Sequence, residues 1–207
     1  MNQLADHLGL EQFAVSGWSA GGPYALACAF ALPERVKAAA LLAGAAPLEY
    51  PGAWRGLPLP NRILAWSARS FPWLVDQQRR LLGRVITGEP ARALRLLKAT
   101  LPEVDQVFLE QSEVAEMILS ALREGYRQGA RGPAQDDVLT RQRWGFDLRK
   151  IGVRIDLWQG GQDRNVPRHA AEYLRATLPI TRSFFFSQEG HFSLLLHWNK
   201  VLTRLME

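Results

Sequence analysis

Hydrophobic positions near the start of the chain form short runs that are separated by polar or glycine-containing turns. Residues 13–15 and 36–43 are apolar almost throughout, as expected of strands that are buried on both faces. A helix is predicted before the first of these strands, at residues 2–9, and another between the two, at residues 24–30. Strands that alternate with helices are typical of an α/β fold with a parallel sheet.

The same alternation returns at residues 148–207. Together with residues 1–47, this segment is predicted to form one α/β core, in which a mostly parallel sheet is flanked by helices. Its predicted elements are a strand at 153–158, a helix that begins near Arg168, a strand at 182–186 and a final helix at 194–206.

The middle of the chain, residues 48–147, has the hydrophobic period of helices and is interpreted as an inserted helical domain. We expect Asn61 and Ser112 to cap the N-termini of two of its helices. Pro90 fits the first turn of another helix, and Gly129 fits the end of the last one. The predicted helices lie near residues 63–68, 75–86, 91–101 and 114–128.

Composition and charge exclude some classes of function. Of the 207 residues, 47% are hydrophobic and 22% are charged, which is ordinary for a globular protein. The formal net charge is +5, but the basic residues are spread along the chain without a run of five or more, so nucleic-acid binding is not expected. Cys28 is the only cysteine, which excludes an internal disulfide.

One uncharged stretch, residues 13–33, is long enough to raise the question of a membrane span. Gly17, Gly21 and Pro23 in its middle argue against one continuous helix, so no membrane association is expected. The N-terminus has no basic region typical of a signal peptide, and a cytoplasmic location is predicted.

A G-x-S-x-G motif stands between the first predicted strand and the helix that follows it. Its glycines, Gly17 and Gly21, allow a strand to turn sharply into a helix with Ser19 at the tip of the turn. The backbone N–H of Ala20 would then lie at the start of the helix, where it can bind an oxyanion. Ser19 is therefore a candidate nucleophile, provided that the chain also supplies an acid and a histidine.

Asp163 and His191 supply these two groups, in that order along the chain. Each lies in a glycine-containing loop directly after a predicted strand, where a carboxylate can orient an imidazole. Other carboxylates have poorer contexts. Asp136 and Asp137 follow no predicted strand, and Glu189 is not expected behind the imidazole.

These three motifs, in this order, resemble those of the α/β-hydrolase superfamily. Residues 17–23 resemble its nucleophile elbow, residues 158–167 its acid loop and residues 189–194 its histidine loop. Residues 129–148 are similar to the end of the helical cap in one bacterial branch of the superfamily. The resemblance therefore implies a partial α/β-hydrolase fold in which residues 48–147 form an α-helical cap.

The resemblance also implies a role for each site residue. Ser19 is expected to be the nucleophile, His191 the general base and Asp163 the group that orients the histidine. Ala20 is expected to contribute its N–H to the oxyanion hole, and Trp18, beside the nucleophile, to contact the substrate. No cofactor is expected, and no metal, because the chain has no histidine, cysteine and glutamate spacing typical of a metal site.

The chain departs from the family's pattern at its beginning. The four strands that normally precede the elbow strand, and the loop that gives the second oxyanion-hole N–H, are not in this sequence. The strand at residues 13–15 is thus expected at a sheet edge, where an apolar strand tends to pair with another. A homodimer through this edge would be the simplest solution; the alternative is that the chain is a fragment.

Two functions remain open. The first is a serine hydrolase, carboxylesterase-like, that cleaves a small apolar ester through an acyl-enzyme on Ser19. The second is a truncated, catalytically impaired hydrolase remnant or an interaction module. Serine at the elbow argues against the halide- and epoxide-opening branches of the superfamily, which have aspartate there, and against its cysteine-based lactone hydrolases.

Overall fold

Four parallel strands form the sheet that organises one part of the chain. Each strand lies beside the next one in the sequence, so the order across the sheet is the order along the chain. The predicted α/β fold with a parallel sheet is therefore confirmed. The strands are β1 Phe13–Trp18, β2 Val36–Leu42, β3 Arg154–Gly160 and β4 Thr181–Phe186.

The computed structural model describes all 207 residues, which divide into two units. The sheet unit consists of Met1–Ala46 with Gly145–Glu207, and the helical unit is Pro47–Trp144. None of the helices is both long and apolar enough to cross a membrane. In chain order the helices are α1 Asn2–His7, α2 Gly21–Ala31, α3 Leu59–Ser70, α4 Pro72–Gly88, α5 Pro90–Lys98, α6 Glu103–Phe108, α7 Ser112–Gly125, α8 Arg131–Arg141, α9 Arg168–Thr177 and α10 Trp198–Leu205.

The middle strands of the sheet are buried because their side chains are mostly apolar or small. Lys37 is the one exposed residue of β2, and β3 is buried from its second residue onward. On one face of the sheet, Trp158 packs in a core cluster with Val201 of α10. The Trp158 ring also stacks on Phe184, with ring centroids 4.3 Å apart. Burial of this apolar surface is the main force that stabilises the unit.

β1 forms one edge of the sheet, as predicted. It pairs with β2 on one side, and no strand of this chain pairs with it on the other. Ala14 and Ser16 of β1 are exposed, whereas Val15 and Gly17 are buried. The strand thus has an open edge without a charged residue or a proline to discourage pairing.

The helical unit contains two helices, α6 and α8, that the sequence pattern did not predict. α8 has Gly132 and Pro133 in its first turn, and both residues weaken the helical signal. It is stabilised instead by packing on α3 and α4 and by Asp137, whose buried carboxylate pairs with Arg79 and with Arg141. The pair with Arg79 joins α8 to α4, whereas the pair with Arg141 lies within α8.

Two predicted helix caps are not observed. Asn61 lies inside the first turn of α3, because Pro60 fits that turn and the helix begins before it at Leu59. Ser112 is the first residue of α7, and no side-chain cap bond is present there. Pro90, by contrast, begins α5 as predicted.

Candidate active site

The turn from β1 into α2 holds Ser19 in a backbone conformation that non-glycine residues rarely adopt. Its φ is 56°, in the left-handed region. The Ser19 N–H donates to Leu42 O at 2.9 Å, and the Ser19 carbonyl accepts from the N–H groups of Gly22 and Ala45 at 3.1 and 3.0 Å. These bonds offset the strain, which is on the order of 1–3 kcal/mol for such a residue, and fix the serine at the carboxyl end of β1.

Glycines let the backbone segments of this turn approach more closely than side chains would allow. A Cβ on Gly17 would lie 2.3 Å from Gly21 O, and a Cβ on Gly22 would lie 2.9 Å from Gly44 Cα. A Cβ on Gly21, in contrast, would meet nothing within 4 Å. The first glycine of the motif is therefore required by packing, whereas the last one is not.

Asp163 and His191 form a buried hydrogen-bonded pair. The Asp163 Oδ2 lies 2.8 Å from His191 Nδ1, and the residues are only 7% and 3% exposed. The other oxygen, Oδ1, accepts from the N–H groups of Asn165 and Val166 at 2.8 and 2.9 Å. Because the carboxylate can only accept, it selects the tautomer in which Nδ1 carries the proton and Nε2 carries the lone pair.

The loop that carries His191 is fixed at several points. The Gly190 N–H donates to Ser193 Oγ at 2.8 Å, which closes a tight turn around the histidine. The Gln162 N–H donates to Glu189 O at 2.9 Å and so links the acid loop to the histidine loop. The position of His191 is therefore coupled to the backbone of the loop that carries its acid partner.

Trp18 connects the elbow to the histidine loop. Its indole Nε1 donates to the backbone carbonyl of His191 at 3.1 Å. Its ring centroid lies 5.2 Å from that of His191 and 5.1 Å from that of Phe192. Trp18 was predicted to contact the substrate, and this role stays a prediction. The contacts observed here place it against the histidine loop.

The predicted site residues lie at the carboxyl ends of three parallel strands, which meet at the same edge of the sheet. The structure brings Asp163 and His191 into direct contact. Trp18, the residue before Ser19, connects the elbow to this pair through its hydrogen bond to the His191 carbonyl. Ala20 is exposed and immediately precedes α2, where its N–H points from a helix start.

Two residues that hold the site, Gln159 and Ser193, were not predicted. The Gln159 Nε2 donates to the carbonyl oxygens of Gly160 and Val166, and Ser193 bonds the Gly190 N–H. Such bonds to the backbone of a loop leave no characteristic residue pattern. The only available signal was the position of a serine two residues after the histidine, since serine is common in tight turns.

Other reactive groups of the sheet unit have different surroundings. Cys28 is half-buried in α2, and burial raises the pKa of its thiol, which disfavours the reactive thiolate. His197 stacks on Phe186 with ring centroids 3.9 Å apart, which is a packing contact. No group of three or more histidine, cysteine, aspartate or glutamate side chains is arranged to hold a metal ion.

Trp18→Phe tests the bond between the elbow and the histidine loop. Phenylalanine keeps an aromatic ring but has no N–H, so the His191 carbonyl loses its donor. A hydrogen bond of this kind contributes about 1 kcal/mol, so we expect kcat/KM for an ester substrate to fall about 5- to 10-fold. Steady-state kinetics of the purified variant measure this.

Trp158→Phe is the matched control. The Trp158 Nε1 is buried and makes no hydrogen bond, so the same substitution removes no partner there. We expect kcat/KM to fall less than in Trp18→Phe, because the smaller ring leaves a cavity in the core but removes no hydrogen bond. Equal losses in both variants would show that the effect comes from ring packing and not from the bond to His191.

The sequence matches one family model. A family model for the alpha/beta hydrolase fold matches residues 1–197 of the chain. Among curated proteins, no sequence match was found.

Solved structures with a similar fold include two esterases. One, from Exiguobacterium antarcticum, has a TM-score of 0.66 and 17% identity, and the match covers 100% of this chain and 71% of that chain. A thermophilic esterase from Thermogutta terrifontis has a TM-score of 0.64 and 20% identity, with 98% and 66% covered. A bromoperoxidase from Bacillus anthracis has a TM-score of 0.63 and 13% identity, with 99% and 71% covered.

At these identities the likeness to solved structures shows the fold alone. The chain spans between 66% and 71% of the length of these three structures. Because the family model matches nearly the whole sequence, the chain belongs to the α/β-hydrolase fold family.

Proposed function

We propose that this chain is a serine hydrolase of the carboxylesterase type, which cleaves a small apolar ester through an acyl-enzyme on Ser19. The observation that carries the proposal is the buried Asp163–His191 pair, joined through Trp18 to the strained turn that holds Ser19. A nucleophile, a base and a group that orients the base are the three parts that acyl transfer needs. The fold family supports a hydrolase in general. That the substrate is an ester is the more specific part of the proposal.

In the proposed mechanism, His191 Nε2 takes the proton from Ser19 Oγ as the oxygen forms a bond to the ester carbonyl carbon. The tetrahedral intermediate collapses, the carbon–oxygen bond to the alcohol breaks, and His191 returns the proton to the departing alkoxide. Water then attacks the acyl-enzyme by the same route and releases the acid with Ser19 restored. Asp163 stabilises the imidazolium that forms in each half of the cycle.

The Ala20 N–H is the proposed donor to the oxyanion. It follows the nucleophile and immediately precedes α2, and the first N–H groups of a helix lack partners within the helix. Hydrolases of this family ordinarily use a second donor, and losing one donor elsewhere lowers turnover by roughly 10²- to 10³-fold. A single donor thus carries a large part of the stabilisation of the oxyanion.

The chemistry of the elbow favours an uncharged substrate. Gly17 to Gly22 contain no ionisable side chain, and Trp18 adds an aromatic surface beside the nucleophile. We further propose that the helical unit, Pro47–Trp144, is the α-helical cap that the sequence resemblance implies. The esterases from Exiguobacterium and Thermogutta share the fold, and their stated activity supports the choice of ester over other acyl groups.

The test combines a rate with a chemical label. Wild-type protein is expected to hydrolyse p-nitrophenyl acetate and butyrate, and a fluorophosphonate probe is expected to add to Ser19 as a single adduct found by peptide mass spectrometry. Labelling that is stoichiometric and confined to Ser19 would support the proposal even if turnover is slow. No labelling together with hydrolysis at the background rate would contradict it.

The open edge of β1 favours a second candidate, an impaired hydrolase that acts as an interaction module. The edge is apolar and has no partner strand in this chain. A protein that pairs through this edge but takes no fluorophosphonate label would fit the second candidate. The two candidates therefore differ in the reactivity of Ser19.

We also propose that two copies pair through this edge, with their β1 strands antiparallel about a two-fold axis. Light scattering is expected to find a dimer of the 23.3 kDa chain. Ala14→Lys places a charge on the exposed face of β1 and is expected to give a monomer, because a lysine on an edge strand opposes pairing.

Ala91→Lys is the control for this prediction. Ala91 is exposed on α5, and the substitution adds the same charge away from β1. We expect the dimer to persist. A wild-type monomer at micromolar concentration, or an Ala14→Lys protein that remains dimeric, would overturn the proposed pairing.

A further inference from the structure

We propose that Gln159 is a positioning residue that fixes the acid loop and, through it, the carboxylate that orients His191. The inference rests on the proposed hydrolase function and goes beyond it, because Gln159 lies in the segment that resembles the acid loop but has no role assigned to it there. It acts through the backbone and does not touch the reacting atoms.

Gln159 lies near the carboxyl end of β3 and is only 4% exposed. Its Nε2 donates to Gly160 O at 3.1 Å and to Val166 O at 3.0 Å. These two carbonyls mark the two ends of the loop that leaves β3 and enters α9. One side chain therefore joins both ends of the loop that carries Asp163.

Val166 is the residue through which this bond reaches the site. Its carbonyl accepts from Gln159, while its N–H donates to Asp163 Oδ1 at 2.9 Å. The other oxygen of Asp163 bonds His191 Nδ1 at 2.8 Å. Three consecutive hydrogen bonds therefore connect the Gln159 amide to the histidine, by way of Val166 and Asp163.

The remaining polar atom of Gln159 carries a cost to stability. Its Oε1 is buried and has no hydrogen-bond partner within the protein. An apolar side chain of the same size would avoid the cost of burying this acceptor. The orientation of the amide is fixed, because the two carbonyl oxygens facing it can only accept. The two donated bonds therefore account for the presence of an amide at this buried position.

Two substitutions remove these donors in different ways. Gln159→Glu keeps the shape but replaces the N–H group with an oxygen, and Gln159→Met keeps the length and removes all polarity. Because small displacements of catalytic groups lower turnover strongly, we expect kcat to fall on the order of 10- to 100-fold in both variants. KM should change by less than about threefold, since substrate contacts are untouched.

Gln3→Glu is the matched control. Gln3 is exposed on α1, in the same unit as Gln159 and outside the loops that carry the site residues. The same change of amide to carboxyl is made there, and kcat is expected to stay within about twofold. An equal loss in Gln3→Glu would overturn the inference, since the effect would then follow from the added charge and not from the lost donors.

A second readout does not depend on activity. Hydrogen exchange of the Asn165 and Val166 amides, both of which donate to Asp163, is expected to be faster in Gln159→Met than in the wild type. The melting temperatures of the variants show whether the unit still folds.

The outcomes separate this inference from the proposed function. Unchanged kcat in folded Gln159→Glu and Gln159→Met, beside an active wild type, would overturn the positioning role. An inactive wild type would contradict the hydrolase proposal. Hydrogen exchange at Asn165 and Val166 would then decide the role of Gln159. Faster exchange in Gln159→Met than in the wild type would support this role, and equal exchange would overturn it.

Discussion

Ser19→Ala is expected to lower kcat for ester hydrolysis on the order of 10³-fold or more and to leave only the residual rate that substrate binding and the oxyanion hole supply. Alanine removes the only atom that can bond to the carbonyl carbon and leaves the remaining contacts of the turn in place. These contacts, to Leu42, Gly22 and Ala45, are made by the Ser19 backbone. The protein should therefore fold as the wild type does and fail at the first chemical step. Hydrolysis of p-nitrophenyl butyrate by both proteins, at matched concentration, measures the effect.

Ser16→Ala serves as the control, because Ser16 is exposed on the same strand three residues earlier. We expect its rate to stay within about twofold of the wild type. If Ser19→Ala retained the wild-type rate, the hydrolysis would come from another group or from a contaminant, and Ser19 would not be the nucleophile.

Gly17→Ala is expected to have the largest effect on folding. The added Cβ would lie 2.3 Å from Gly21 O, 2.5 Å from Gly21 C and 2.7 Å from Gly22 N, and all three are backbone atoms. A flexible side chain could move aside, but these atoms belong to the first turn of α2. We expect the free energy of unfolding to fall by about 3 kcal/mol and the melting temperature by about 10 °C. Activity should be lost with the geometry of the turn.

Gly21→Ala is the comparison that isolates this clash. The Gly21 Cβ position is open, and alanine favours a helix, so we expect stability to remain equal or to rise slightly. Thermal unfolding followed by circular dichroism measures both variants. A Gly17→Ala protein as stable as Gly21→Ala would mean that the turn can relax, contrary to the tight packing described above.

The sheet and the order of the site residues could be predicted because each depends on local sequence. Each strand contains a short run rich in apolar residues, and such a run has few alternatives in β2 and β3, which are buried along most of their length. Ser19, Asp163 and His191 each follow one of these strands, and a parallel sheet brings the carboxyl ends of its strands together. The helix after the acid loop begins at Arg168, as its pattern predicted.

The remaining features depend on contacts between distant residues. α8 has a weak helical pattern and is stabilised by the pair of Asp137 with Arg79 of α4 and by its packing on α3 and α4. The final helix was predicted as one element, but a tighter helical segment, Ser193–His197, precedes α10. The partner of the Trp18 indole is 173 residues away in sequence. These pairings cannot be predicted from a single sequence, because the type of a side chain does not determine which distant group it bonds.

The division of the chain into two units has a consequence for how such a protein changes over time. The hydrogen bonds described for Ser19, Asp163 and His191 are all made within the sheet unit, although the insertion Pro47–Trp144 interrupts that unit in sequence. Substitutions, and even changes of length, can accumulate in the insertion without breaking any of these bonds. The reactive groups and the inserted helices can therefore evolve independently. Descendants of this chain can diverge in the insertion while they retain the reactive groups.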